Sequence, residues 1–185
     1  MQIPRNFKKN ALTLKKPFFR QDVLDLAPAL LGKLIVIDDG NQQRSFRITE
    51  TEAYRGEEDM ACHARKGRTK RTDPMYHTGG ILYIYLIYGM HWMTNVVAGE
   101  ANEPQAALIR SLDTVEGPGR TSKALGIDKG FNYKKLFDSD RIALLDDGLI
   151  PTYESLPRVG IDYAGDHWKN IPWRFKLNPS QLTDQ

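Results

Sequence analysis

"ILYIYLIYGMHWMTNVV", residues 81–97, decides the fold. It is dense in aromatic and β-branched residues, the types that fit a pleated, half-buried surface. It is interrupted near its middle by Tyr88-Gly89-Met90. That pattern predicts two strands folded back on each other, a β-hairpin with its turn at 88–90. Tyr83 and Tyr85 share one strand face, opposite to Tyr88. At the turn Tyr88 cannot easily be core, so the hairpin presents an inward aromatic surface and an outward plug.

Outward from the hairpin, "AALIRSL" (106–112) reads as another core strand. "KLIVID" (33–38) and "QRSFRITETEAY" (43–54) read as two strands joined through the turn-rich "DGN". "QDVLDLAPALL" (21–31) has helical spacing, with Gly32 placed to end it and Pro28 inside it. Residues 56–80 lack periodicity and read as an ordered loop, a length that implies a task. "GPGRTSKALGI" (117–127) is a turn entering a helix, with Thr121 or Ser122 available as its cap. Residues 136–156 are acidic and punctuated by proline, and read as surface loop and short helix. "PRVGIDYAG" and "WRFKL" read as short strands around a turn. The 185 residues make one domain, 1–185, with a basic N-terminal arm at 1–18.

Composition excludes several classes. The single cysteine, Cys62, permits no internal disulfide, and no apolar run reaches the roughly 18 residues of a membrane helix. No secretory leader is legible, so a cytoplasmic location is expected. Net charge is only +3, but the first 20 residues hold no acid. "RKGRTKRT" (65–72) clusters Arg65, Lys66, Arg68, Lys70 and Arg71, the footprint of a phosphate-binding surface or of a solvated loop. Zinc wants closely spaced ligand pairs, and Cys62, His63, His77 and His91 supply none. "GPGRTSK" lacks the Gly-Lys-Ser/Thr of a nucleoside triphosphate loop, although amides at this helix start can hold one phosphate.

"RITETEAYRG" (47–56) raises the chemical question. Strand alternation places Ile48, Glu50, Glu52 and Tyr54 on one side, and burying carboxylates is costly unless they are used or paired. Two carboxylates about 7 Å apart on one strand face suit glycosidic chemistry. Alternatively, one pairs with a neighbour such as Arg47 or points to solvent.

"ETEAYRGEEDMACHARKGRTKRTDPMY" (50–76), "LYIYLIYGMHWMTNVV" (82–97), "ALIRSLDTVEGPGR" (107–120) and "RVGIDYAG" (158–165) together closely resemble the alkyladenine (3-methyladenine) DNA glycosylase family. The resemblance runs from about "LAPALLGK" to "PWRFKL". It implies an α+β domain with a curved antiparallel sheet, surrounding helices and a hairpin that enters the DNA minor groove. It implies a monofunctional, cofactor-free and metal-free enzyme of base excision repair, a monomer without an obligate protein partner. Its substrate would be duplex DNA carrying alkylated or deaminated purines of the 3-methyladenine, hypoxanthine or ethenoadenine type. By the same resemblance Glu52 is the general base that activates water, and Arg110 and the backbone near Ile161 help to hold that water. Tyr54 stacks on one side of the everted base, with His63 and Tyr85 on the other. The His63 amide bonds the purine edge, and Asn95 clashes with a guanine amino group. Tyr88 fills the gap in the duplex; Met75, Lys70, Arg71, Gly119 and Arg120 complete the DNA-contacting set. Three positions depart from the family pattern: the turn His77-Thr78-Gly79-Gly80, Thr49, expected to face away from Glu52, and Ser111 after Arg110. A non-catalytic binder of damaged DNA and a nucleoside hydrolase are the competing readings.

Overall fold

A computed structural model describes residues 11–178. Its strands are β1 (Leu12–Thr13), β2 (Leu34–Asp38), β3 (Gln43–Arg55), β4 (Leu82–Ile87), β5 (His91–Val97), β6 (Gln105–Leu112), β7 (Ile142–Asp146), β8 (Tyr153–Leu156) and β9 (Arg174–Leu177). They form a nine-stranded sheet in the order β1-β7-β2-β3-β6-β5-β4, with β9 also paired to β3 and β8 to β9. Every strand pairing is antiparallel. Three short α-helices, α1 (Val23–Ala29), α2 (Pro118–Leu125) and α3 (Asp166–Asn170), and several 3-10 turns complete the α+β domain among the described residues.

The main core gathers apolar side chains of β2, β4, β5, β6 and β7 against Val23 and Leu26 of α1 and Leu125 of α2. Each such Leu, Ile or Val contributes about 1.5–3 kcal/mol by leaving water. Asp22 caps α1 by accepting from the Leu24 amide at 2.9 Å, and Pro28 lies inside the helix one residue from its end, where it cannot give the amide bond that the Leu24 carbonyl would otherwise accept. Gly79, part of the unusual turn, has a steric reason: a Cβ there would lie 2.0 Å from the Phe19 carbonyl oxygen. Of the segment 1–18, residues 1–10 lie outside the described residues. From Leu12 the chain is already paired to β7, and Phe19 is buried in the core.

β3 sets up the site. Its first half pairs with β2; its second half runs between β6 and β9. The register with β6 shifts twice, from Ile48↔Leu112 to Glu50↔Ser111 and then to Thr51↔Ile109. One extra residue, Thr49, is thus accommodated on β3 and one, Arg110, on β6. The first shift corrects the alternation expected from sequence. Ile48 lies in the main core with Ala53, while Glu50, Glu52 and Tyr54 occupy the opposite face. Thr51 donates its hydroxyl to the Ala27 carbonyl at 2.8 Å, pinning the core face to α1.

Three local expectations are corrected. Residues 142–146 are not surface loop: β7 sits inside the sheet between β1 and β2, with Ile142 to Leu145 buried. The segment around Arg158 to Gly165 is no strand but a loop ending in a 3-10 turn, Asp162–Ala164. α2 is capped by Gly117 with Pro118 in its first turn, one turn earlier than Thr121 and Ser122. Those hydroxyls instead tie α2 to the sheet, through Arg110 O at 2.9 Å and Thr94 Oγ1 at 2.8 Å. Among the described residues no helix is long and apolar enough to cross a membrane.

Candidate active site

The hairpin forms as expected, with Ile87 paired to His91 across the turn. Tyr88 and Gly89 both take left-handed backbone angles, φ 52° and 68°, and a tyrosine there is uncommon. The conformation throws Tyr88 outward, 84% exposed, beside Met90 at 69%. It also brings Tyr88 to the mouth of a cavity of about 560 Å³. Odd-numbered side chains of β4, Tyr83, Tyr85 and Ile87, line that cavity, as do Met93 and Asn95 of β5.

The remaining walls come from the loop after β3, from the start of α2 and from the loop before α3. The first supplies Ala61, His63, Arg71 and Met75; the second Gly119 and Arg120; the third Val159, Ile161 and Tyr163. Tyr54 and Arg110 also line the cavity. All five predicted base-binding residues therefore meet at one cavity. Met75, Arg71, Gly119, Arg120 and Tyr88 of the predicted DNA-contacting set join them, with Met75 buried. Lys70 is exposed and stands outside the lining.

The ring cluster is tightly assembled. His63 and Tyr85 meet edge to face with centroids 4.6 Å apart, and His63 Nδ1 is 2.9 Å from the Tyr83 hydroxyl. The Arg71 guanidinium covers the Tyr85 ring at 5.2 Å. Burial, together with the positive charges of Arg71 and Arg65, lowers the His63 pKa to about 4. A neutral imidazole therefore faces the cavity at physiological pH. Burial likewise raises the Tyr85 hydroxyl pKa, and it raises that of Tyr83 to about 12 against the opposing charge of Arg71. Cys62, beside His63, is buried, and its thiol is pushed up to about 12 by the same desolvation. Asn95 donates from Nδ2 to the Tyr83 carbonyl at 3.0 Å, which fixes its amide in the wall.

Glu52 lies directly behind this wall, with no accessible side-chain surface. Three donors converge on it: the Tyr54 hydroxyl on Oε2 at 2.7 Å, Arg110 Nη1 on Oε1 at 3.1 Å, and the Val159 amide on Oε1 at 2.8 Å. All three donor residues line the cavity, although Glu52 itself does not. A carboxylate has about four lone-pair sites, so about one remains on Oε2. The Tyr54 hydroxyl pKa is raised well above its ordinary value by burial and by the neighbouring Glu52 charge.

Glu50 answers the question of the second carboxylate: it is tied up structurally. It accepts from Ser111 Oγ at 2.6 Å and from Arg174 Nη1 at 2.8 Å, and Arg110 Nε is 3.5 Å away. Burial draws its pKa upward, but these donors and the two arginine charges outweigh that and hold it below the usual range. Ser111, one of the departures from the family pattern, makes a bond that an alanine could not. Arg47, the neighbour weighed as a partner, pairs with Asp147 at 2.8 Å instead.

Sequence reasoning missed Val159, whose amide donates to Glu52. Ile161 is buried against Ala61 and Ala164, in the packing beneath Tyr54. It also missed Asp59 and Arg158, a buried pair 99 positions apart. No local pattern announces so distant a partner. Among the described residues no group of three or more His, Cys, Asp or Glu side chains could hold a metal ion.

The sequence model of the Methylpurine-DNA glycosylase (MPG) family matches residues 17–116 and 112–181. A relative from Myxococcus xanthus is 42% identical over 181 residues, covering 91% of each chain. One from Legionella pneumophila is 42% identical over 176 residues, covering 90% of this chain and 96% of its own. One from Borrelia garinii is 39% identical over 181 residues, covering 91% of this chain and 97% of its own. All three bear the name "Putative 3-methyladenine DNA glycosylase".

Proposed function

Since the chain belongs to the Methylpurine-DNA glycosylase family, we propose that it hydrolyses the N-glycosidic bond of a damaged purine everted from duplex DNA. The observation that carries this reading is the convergence of three donors on Glu52, behind the wall of an aromatic cavity.

A base inside the duplex is out of reach, and eversion costs a few kcal/mol. Tyr88, exposed at the hairpin tip, is suited to enter the vacancy as apolar wedges do in the minor groove. Stacking on Tyr54, His63 and Tyr85 returns roughly 1–3 kcal/mol per base and tolerates varied purines. Lys70, Arg71 and Arg120 offer positive charge to the flanking phosphates. A neutral His63 suits a cationic alkylpurine, since an imidazolium would repel it.

In the chemical step the C1′–N bond breaks and its electron pair departs with the purine. A base carrying an alkyl-derived positive charge leaves neutral, whereas an uncharged lesion such as hypoxanthine must take up a proton on the purine as it leaves. The sugar gains oxocarbenium character, which a nearby carboxylate stabilises. Water oxygen bonds to C1′, and its proton passes to Glu52 through the free lone pair on Oε2. Arg110 and the Val159 amide keep Oε1 oriented. The donor that shares Oε2 with this lone pair is the Tyr54 hydroxyl, and its movement opens the path for water, since Glu52 has no exposed side-chain surface.

That enclosure is also what favours a second reading, a binder that captures lesions without releasing them. One assay separates the two. Duplexes carrying a cationic methylpurine, and in parallel hypoxanthine or ethenoadenine, are incubated with the wild type and with Glu52→Gln, and alkali-sensitive sites are counted. Glycosylase action predicts release by the wild type and its loss in the variant. Tight binding with no release by either protein selects the binder, and wild-type release by Glu52→Gln removes the mechanism.

A further inference from the structure

Arg158 and Asp59 form an ion pair with no accessible side-chain surface on either partner. The contact is bidentate, Nη1 to Oδ2 at 2.6 Å and Nη2 to Oδ1 at 2.9 Å. Such a pair is weak evidence for stability, because well-packed apolar residues of similar volume often serve as well. Its connections, however, all lead to the site.

Arg158 Nη1 also donates to the Ala53 carbonyl at 2.9 Å, on the strand between Glu52 and Tyr54. The guanidinium lies 4.9 Å from the Tyr54 ring centroid and 5.1 Å from that of Trp173, so it braces Tyr54. The residue that follows, Val159, gives its amide to Glu52 at 2.8 Å. On the other side, Asp59 Oδ1 accepts from the Ala61 amide at 2.9 Å, and Oδ2 from the Arg55 amide at 3.2 Å. The Asp59 carbonyl accepts from the Cys62 amide at 2.8 Å, adjacent to His63. One ion pair therefore joins β3 to both loops that wall the cavity.

We propose that Arg158 is a positioning residue for Glu52, acting with Asp59 to hold the Val159 amide and the Tyr54 hydroxyl in place. The proposal rests on the glycosylase reading and deepens it. The role needs a planar cation that forks onto a carboxylate and stacks on a ring at once. Arginine can do both, whereas the compact ammonium of lysine cannot.

The test uses the full chain and two variants. Arg158→Lys keeps the charge, and the double variant Asp59→Asn/Arg158→Met removes both charges and so leaves no unpaired ion. Single-turnover base release is measured at a temperature where circular dichroism shows each protein folded, beside affinity for the same lesion-bearing duplex. Loss of alignment predicts a fall of about 100-fold in release, since a displacement near 1 Å costs that much. Affinity should fall by about tenfold at most, the share of one weakened stacking contact at Tyr54, so that release falls well beyond affinity. A lower melting temperature with wild-type release in the folded protein overturns the proposal, because the pair would then be structural only. A proportional fall in affinity and release overturns it as well. The wild type on the same duplex separates the two failures: if it releases no base, the glycosylase reading falls and takes this proposal with it. If it releases base and both variants match it, the positioning role alone falls.

Discussion

The tip of the β4–β5 hairpin and the wall around Glu52 are built on opposite terms. At the tip Tyr88 and Met90 stand in water, and Gly89 has open space around it. Around Glu52 the carboxylate has no exposed surface, and its donors come from β3, β6 and the loop before α3. A surface that waits for a partner can leave apolar groups unsatisfied, because the partner supplies the other half. A group that must act on one bond cannot, because its orientation has to exist before the substrate arrives. The contrast predicts that changes at the wall act on rate and changes at the tip act on binding.

The largest effect should come from Glu52→Gln, which keeps the shape and removes the proton acceptor. Base release should fall by about 100- to 10,000-fold, the usual weight of a general base, while lesion-duplex affinity holds. A parallel loss of affinity would break the division between the two regions. Tyr88→Ser should do the converse. Affinity for a lesion duplex should drop by about tenfold, within the range of one lost stacking contact, with single-turnover release from bound complex changed far less. Quantitative binding alongside rapid-quench kinetics would show whether the tip contributes to rate after all. A smaller effect is expected for Lys70→Ala, on the exposed loop outside the cavity. It should weaken all duplexes alike and reduce the slope of log K against log salt by about 1.

A separate prediction, read in stability and not in binding or rate, belongs to His63. Its pKa in the folded protein is lowered to about 4 from 6.5, so folding favours the neutral form. That contribution to stability is complete above pH 6.5 and is lost as pH falls through about 4. An NMR titration of the ring should place its midpoint near 4, and His63→Gln should flatten the acid side of a stability–pH curve. A midpoint at the ordinary value would mean that the ring cluster is wetter than the packing of His63 on Tyr85 implies.

Much of this was legible in sequence, and the exceptions share a cause. The hairpin and β6 declare themselves through strand-forming residues at short range. β7 did not, because "IALLD" is five residues set between Asp138, Asp140 and Asp147, and its burial depends on β1 and β2 closing over it from far along the chain. The side of β3 that carries Ile48 could not be read either, since the shift at Thr49 exists only in the pairing with β6. Glu52, Tyr54, His63, Tyr85 and Arg110 were named through family motifs, whereas Arg158, although it opens "RVGIDYAG", was given no role. Its meaning lies in Asp59, Tyr54 and Trp173, none of them near it in sequence.

The lone cysteine carries a consequence of its own. Sulfur attacks electrophiles as thiolate, and Cys62 is shielded from solvent with its proton held to about pH 12. An electrophile from solvent therefore meets no thiolate on the described surface, and the sulfur it can reach is the thioether of Met60 or Met90. The chain keeps its only thiol dormant, a single residue from the cavity wall at His63.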